Sequence, residues 1–257
     1  MTGKKILILA GVILIVEIVL LMVFKQEMSL PDFQDVPKWN LVKTAENETT
    51  FLALNKVTVV MMLIVDVLII TMAYLATRSL RQVPGKIQSF FEIIVDLFSD
   101  LVTQTLGENG RRHLPMLGSL FLFLWISNII GSIPFAEEPT RDLNVPIGHM
   151  LAVLTVVHFE AIRIKGLKAY LMSYNEPFIV MMPLNVIGEI AKGVSLAFRL
   201  FGNILGGAII VMVISYLARY VVLPAGLNMF FGIFVGTIQA FVFTMLGMTY
   251  IAVAIAD

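Results

Sequence analysis

Long apolar runs alternate with short polar stretches along almost the whole chain. Residues 6–24, 57–77, 114–134 and 146–162 each come close to the length that crosses a membrane, because a hydrocarbon core of ~30 Å takes about 20 helical residues. Two later runs, 177–217 and 224–256, would measure roughly 60 Å and 50 Å as straight helices. They are expected to incline strongly, kink or break, and Pro183, Gly188 and Gly193 allow bending in the first. Residues 86–106 follow another pattern: Glu92, Asp96, Ser99 and Thr103 recur at helical spacing against Phe91, Ile94 and Phe98. This predicts an amphipathic helix along the membrane interface, after a break at Pro84-Gly85. The fold expected is an all-α membrane protein with about six membrane-embedded helices and one interfacial helix.

Composition agrees: 58% of the 257 residues are hydrophobic and the mean hydropathy is +0.91. With no Cys, disulfides, thiol redox chemistry and Cys-ligated metals are excluded, and three His without an HExxH pattern leave little for a zinc enzyme. No P-loop is present, so nucleotide chemistry is not expected in this chain, nor are a metal, a cofactor or a nucleic acid. Charge sorts the loops. Lys4, Lys5, Arg78, Arg81, Lys86, Arg111, Arg112, Arg163, Lys165 and Lys168 fall on one side, and Glu27, Asp32, Asp35, Glu46, Glu48, Glu137, Glu138 and Asp142 on the other. The basic side is expected to be cytoplasmic, with both termini there. Residues 1–24 lack a convincing cleavage site and read as a retained transmembrane helix. Glu17 and Asp66 are intramembrane carboxylates, hence candidates for function. His158 and Glu160 are two apart, so they cannot share a helical face and read as helix-end anchors.

The stretch from Leu184 to Ile210 holds the sharpest candidates. It sets Glu189, Lys192, Arg199 and Asn203 in sequence otherwise apolar enough for a bilayer. A cation at mid-membrane costs about 2.5–3.5 kcal/mol on insertion scales, so Arg199 demands a functional reason. At about 100° per residue, Lys192, Ser195, Asn203 and Gly206 fall within about 40° of Arg199, with Gly202 beside them. In the last run Gly232, Gly236 and Gln239 follow at i, i+4 and i+7. The small residues Gly202, Gly206, Gly232 and Gly236 predict close helix packing, with the Gln239 stripe facing the Arg199 stripe. A Gln amide donates and accepts without charge, and could hold the guanidinium.

These residues resemble a known family. SLAFRLFGN followed by ILGG is similar to the segment around the essential Arg in subunit a of the rotary F-type ATP synthase, and FVGTIQAFVFTML around Gln239 resembles its last helix. Weaker matches are VPGKIQSFFE, DLNV and IKG, in the right order. The resemblance divides the chain into an additional N-terminal transmembrane helix (1–24), an extracytoplasmic segment (25–55) and a subunit a core (56–257) that contains the interfacial helix 86–106 and a steeply tilted hairpin, 177–256. It implies an ion-translocating stator of the Fo sector, in a bacterial plasma (inner) membrane. Its partners would be a ring of c subunits, the peripheral-stalk subunit b and membrane lipid. Arg199 would release H+ or Na+ from ring carboxylates between two offset aqueous half-channels, with Gln239, Asn203, Lys192, Ser195 and Glu189 as path candidates.

One departure matters. Many proton-translocating members place a titratable residue nine after the Arg or seven before the Gln, where this chain has Ala208 and Gly232. That raises the sodium reading, unless Glu189, Asp66 or Glu17 serves protons instead. A secondary ion-coupled transporter is the alternative, but the chain lacks the repeated halves that such folds show.

Overall fold

Among the described residues, five of the apolar runs form helices long and apolar enough to cross a membrane. A computed structural model describes residues 38–40, 53–78, 85–133, 136–175, 178–218 and 222–255; the expected first span, 6–24 with Glu17, lies outside them. In the segment expected to be extramembrane, β1 (Lys38–Asn40) pairs antiparallel with β2 (Ala53–Asn55), Trp39 opposite Leu54. Helix α1 (Lys56–Thr77) starts there because Asn55 Oδ1 accepts from the Val57 N–H at 3.0 Å, satisfying one of the open donors of a helix start. Its Leu63, Val67 and Ile70 are exposed, as befits a lipid-facing helix.

Helix α2 (Lys86–Leu106) is the amphipathic element. Phe98 and Val102 turn into the core while Glu92 and Asp96 stay exposed, and it packs on α1 and on two helices described below. Gly107, at φ +72°, ends it in the left-handed conformation that glycine adopts without steric cost. After a short 3₁₀ turn, Glu108–His113, come α3 (Leu114–Ile130), α4 (Asn144–Lys165) and the short α5 (Leu167–Ser173). Helix α6 (Met182–Ala218) follows, then α7 (Val222–Met229), a π-helical turn (Phe230–Val235) and α8 (Gly236–Ile255).

The core lies where α8 packs on α3 and α4, with α6 against α4 and α2 closing one side. Leu117, Leu124, Val153, Leu196, Leu200, Phe243, Met248 and Ile251 are fully buried there. Of the three ways to accommodate a long apolar run, α6 does not break. It is one α-helix of 37 residues. Pro183 sits in its first turn, where a missing N–H leaves no hydrogen bond unmade. Gly193 serves packing instead: a Cβ there would lie 2.7 Å from Leu154 of α4. At roughly 55 Å, with exposed apolar side chains from Ile187 to Val213, α6 must lie steeply inclined to keep them in a ~30 Å hydrocarbon core. The second arm is interrupted only by its π turn.

Candidate functional site

Arg199 stands near the midpoint of α6 on an exposed face, with Lys192, Ser195, Gly202 and Asn203 also exposed. It has no hydrogen bond or ion pair among the described residues. A Cβ at Gly202 or Gly206 would meet nothing within 4 Å. The bald flank of Arg199 is therefore open surface, bordered by the exposed apolar Val194 and Phe198.

One helical turn beyond Arg199, Asn203 Nδ2 donates to Gln239 Oε1 at 2.6 Å. Gln239 is 4% exposed, and its Nε2 has no partner among the described residues. Its acceptor is engaged by Asn203, and no hydrogen bond joins it to the guanidinium among the described residues. The two residues line a cavity of about 80 Å³ together with Asn128, Ala208, Gly232 and the loop residues Glu137, Glu138 and Arg141. The loop that carries these last three is fastened from within. Thr140 Oγ1 donates to Asn128 Oδ1 at 2.9 Å, and Asn128 Nδ2 donates to the Gly236 carbonyl at 2.9 Å.

The glycine stripe meets different partners from those expected. A Cβ at Gly236 would lie 2.7 Å from Asn128 Cβ, and one at Gly232 would lie 1.9 Å from Ser132 Oγ. Both face the end of α3 rather than Arg199. The physical reason is that Gly236 lies three residues before Gln239 on regular α8, about 60° around the helix, so it turns to a different neighbour from the one that Gln239 meets. The α6 glycine that meets this arm is Gly207, against Phe231.

On the other side of Arg199 along α6, Lys192 Nζ meets Glu189 Oε1 at 2.6 Å. They line a cavity of about 510 Å³ with His158, Lys165, Tyr170, Tyr174 and Asn185. Here the Tyr170 hydroxyl bridges His158 Nδ1 at 2.7 Å and the Tyr174 hydroxyl at 2.5 Å. Burial, and next its bond to Tyr174, hold the Tyr170 phenol above its ordinary range, so it remains neutral and able to donate. His158 and Glu160 point to different partners: His158 joins this cavity, while Glu160 pairs with Arg112 and Arg163.

The family model described as ATP synthase A chain matches residues 59–252. The chain belongs to that family. ATP synthase subunit a of Moorella thermoacetica is 37% identical over 195 residues, covering 76% of this chain and 88% of that protein. The Propionigenium modestum protein named ATP synthase subunit a, sodium ion specific, is 38% identical over 199 residues, 71% of this chain and 68% of that protein. ATP synthase subunit a 3 of Pelobacter propionicus is 37% identical over 189 residues, 72% of this chain and 81% of that protein. Identity to the sodium-specific relative thus hardly differs from that to the others.

In this subunit a chain the fold brings Asn203 to Gln239 and Glu189 to Lys192, and leaves Arg199, Ser195 and Gly202 exposed. Asp66 is exposed on α1, away from both cavities. Residues that sequence reasoning did not single out are Tyr170, Tyr174, Asn128 and Arg141. The sequence signal available for Asn128 is a polar residue inside the apolar run 114–134. The two tyrosines are four apart on a short helix, a spacing that shares a face but says nothing of the partner it finds.

Proposed function

We propose that this chain is the ion-translocating stator of the Fo sector of a rotary ATP synthase, and that Arg199 releases the ion from carboxylates of a c-ring passing over its exposed face. The observation that carries this reading is a guanidinium with no partner among the described residues, midway along a 37-residue apolar helix and flanked by bare glycines. A permanent cation at such a site is stable only beside water or a mobile anion. Two cavities lie on opposite sides of it along α6, which supports two offset half-channels. The one lined by Glu137, Glu138 and Arg141 opens to the extracytoplasmic face. The one lined by Glu189, Lys192 and Lys165 opens to the cytoplasm. The chain is a multi-pass membrane protein, and its setting in this reading is a bacterial inner membrane, with residues 1–24 an added helix and subunit b a further partner.

Magnitudes constrain how Arg199 works. An ion pair at 4 Å is worth about 4 kcal/mol at an effective dielectric of 20, whereas one charge crossing 100 mV yields only about 2.3 kcal/mol. A dry, tight pair would stall rotation, so Arg199 meets each carboxylate loosely and hydrated, in keeping with its exposure. Lysine keeps the charge but loses the planar fork. Arg199→Lys is expected to lower ion-driven ATP synthesis by about two orders of magnitude, the scale on which losing a preorganised charged contact is felt. Normal synthesis by that variant in the assembled complex would sink the reading. Co-purification with a ring of small carboxylate-bearing subunits separates it from a transporter acting alone.

A further inference from the structure

We propose that Glu138 is the acid of the extracytoplasmic path: its carboxyl, folded against Gly131 at the cavity that Asn203 and Gln239 also line, binds and releases the translocated proton. The inference rests on the reading of this chain as an ion-path subunit, and adds the group that handles the proton.

Gly131 supplies the first argument. Its backbone is ordinary right-handed helix, φ −62° and ψ −16°, so conformation does not require glycine there. Space does: a Cβ at position 131 would lie 2.0 Å from Glu138 Oε1 and 1.8 Å from its Cγ. The absence of a side chain on α3 is what lets the carboxyl fold in. The loop is held for this purpose, since Pro139 and Thr140 are buried and Thr140 is bonded to the buried Asn128. Asn228 Nδ2 caps the Gly131 carbonyl at 3.1 Å, fixing the other wall.

The cavity supplies the second. Its charged or titratable lining is Glu137, Glu138 and Arg141, all from the loop. Helix α3 contributes Asn128 and the turn after it Gly131, α6 contributes Asn203, Gly207 and Ala208, and the α7 to α8 arm contributes Gly232 and Gln239 among its lining residues, none of which titrates. Glu137 is exposed whereas Glu138 is partly buried. The volume of about 80 Å³ exceeds the ~10–15 Å³ that one water needs, so the cavity that Glu138 shares with Asn203 and Gln239 has room for water. In the step, hydronium from the aqueous face gives its proton to the Glu138 carboxylate, leaving water and a carboxylic acid. The acid then protonates a cavity water toward Asn203 and Gln239, which restores the carboxylate.

The electrostatics suit the role. Burial pushes Glu138 up to about 7, against the opposing pull of Arg141. Its folded value lies above the unfolded one, so protonated Glu138 favours the fold fully below about 4.5, and that contribution is lost as pH rises through about 7.

The test uses the whole complex, reconstituted in liposomes and then stripped of its soluble head, with proton conductance measured by dye across the pH range around 7. Glu138→Gln should lower conductance by at least about tenfold, modest for a lost proton-transfer group, and remove the inflection near 7; Glu138→Asp should restore much of both. Gly131→Ala keeps the carboxyl but expels it, so conductance should fall and the inflection should move toward the ordinary carboxylate range. Wild-type conductance and inflection in Glu138→Gln would overturn the proposal. So would a uniform loss with the inflection unmoved, or a wild-type complex that conducts sodium and not protons. If Glu138→Gln does not assemble, Gly131→Ala decides, and an unshifted inflection overturns it. A dead Arg199→Lys beside a normal Glu138→Gln sinks this assignment alone; an active Arg199→Lys sinks the stator reading beneath it.

Discussion

Glu160 shows how differently single acids are used in this chain. Its side chain is 5% exposed on α4, paired with Arg112, with Arg163 Nη1 at 3.6 Å and His113 Nε2 at 3.9 Å. It ties the 3₁₀ turn before α3 to the end of α4. Removing one member of a buried ion pair costs about 3–5 kcal/mol because the partner charge is left uncompensated. Arg112 is 37% exposed, so water screens part of that loss and the low end of the range applies. Glu160→Ala should therefore reduce the yield of assembled complex in membranes, whereas Glu108→Ala, whose pair with Arg111 is 72% and 59% exposed, should leave it unchanged. Quantitative immunoblots of both variants check this. The sequence marked Glu160 as one of several charges near a helix end. That its partner lies 48 residues earlier was not legible, because pairing depends on which helix ends meet. Glu138 was likewise read as a loop charge, since nothing local shows that the loop folds back onto Gly131.

At the scale of elements, the glycines divide into those that pack within the chain and those that do not. Gly236 lets α8 meet α3 at Asn128, where an added Cβ would come within 2.7 Å, and overpacking of this kind costs about 1–3 kcal/mol. Gly202 meets nothing within 4 Å. Gly236→Leu should thus destabilise the subunit itself, lowering its amount in the membrane. Gly202→Leu should leave that amount unchanged and, if the proposed stator role holds, impair ATP synthesis, because the bulk would intrude only on the face assigned to the ring. Measuring subunit abundance and synthesis rate together separates the two, and an unstable Gly202→Leu or a fully active one would contradict the assignment. The five spans among the described residues were legible from apolar length, and the amphipathic α2 from its period, since burial of a stripe follows directly from 3.6-residue spacing. The π turn was not. It depends on the competition between helical hydrogen bonds and packing of Phe231 and Gly232, which no local period records.

For the whole molecule, the issue is which ion crosses. The reading of Glu138 as the proton-handling acid predicts that ATP-driven transport by the reconstituted complex acidifies the vesicle lumen and collapses with a protonophore. Radioactive sodium uptake that persists or rises with the protonophore would show sodium coupling instead. Ala208 and Gly232 had pointed away from protons because neither titrates, yet both line the cavity that Glu138 enters. Composition and order alone determined the all-α membrane class, the five spans among the described residues, the family and the place of Arg199 within an apolar run, because the cost of polar groups in hydrocarbon constrains every residue locally. Only the tertiary structure decided that Asn203 bonds Gln239, that Glu189 shares a cavity with Tyr170, and that a loop acid fills the space above Gly131. Those contacts join residues far apart in the chain, and close packing between helices, rather than any local pattern, sets which of them meet.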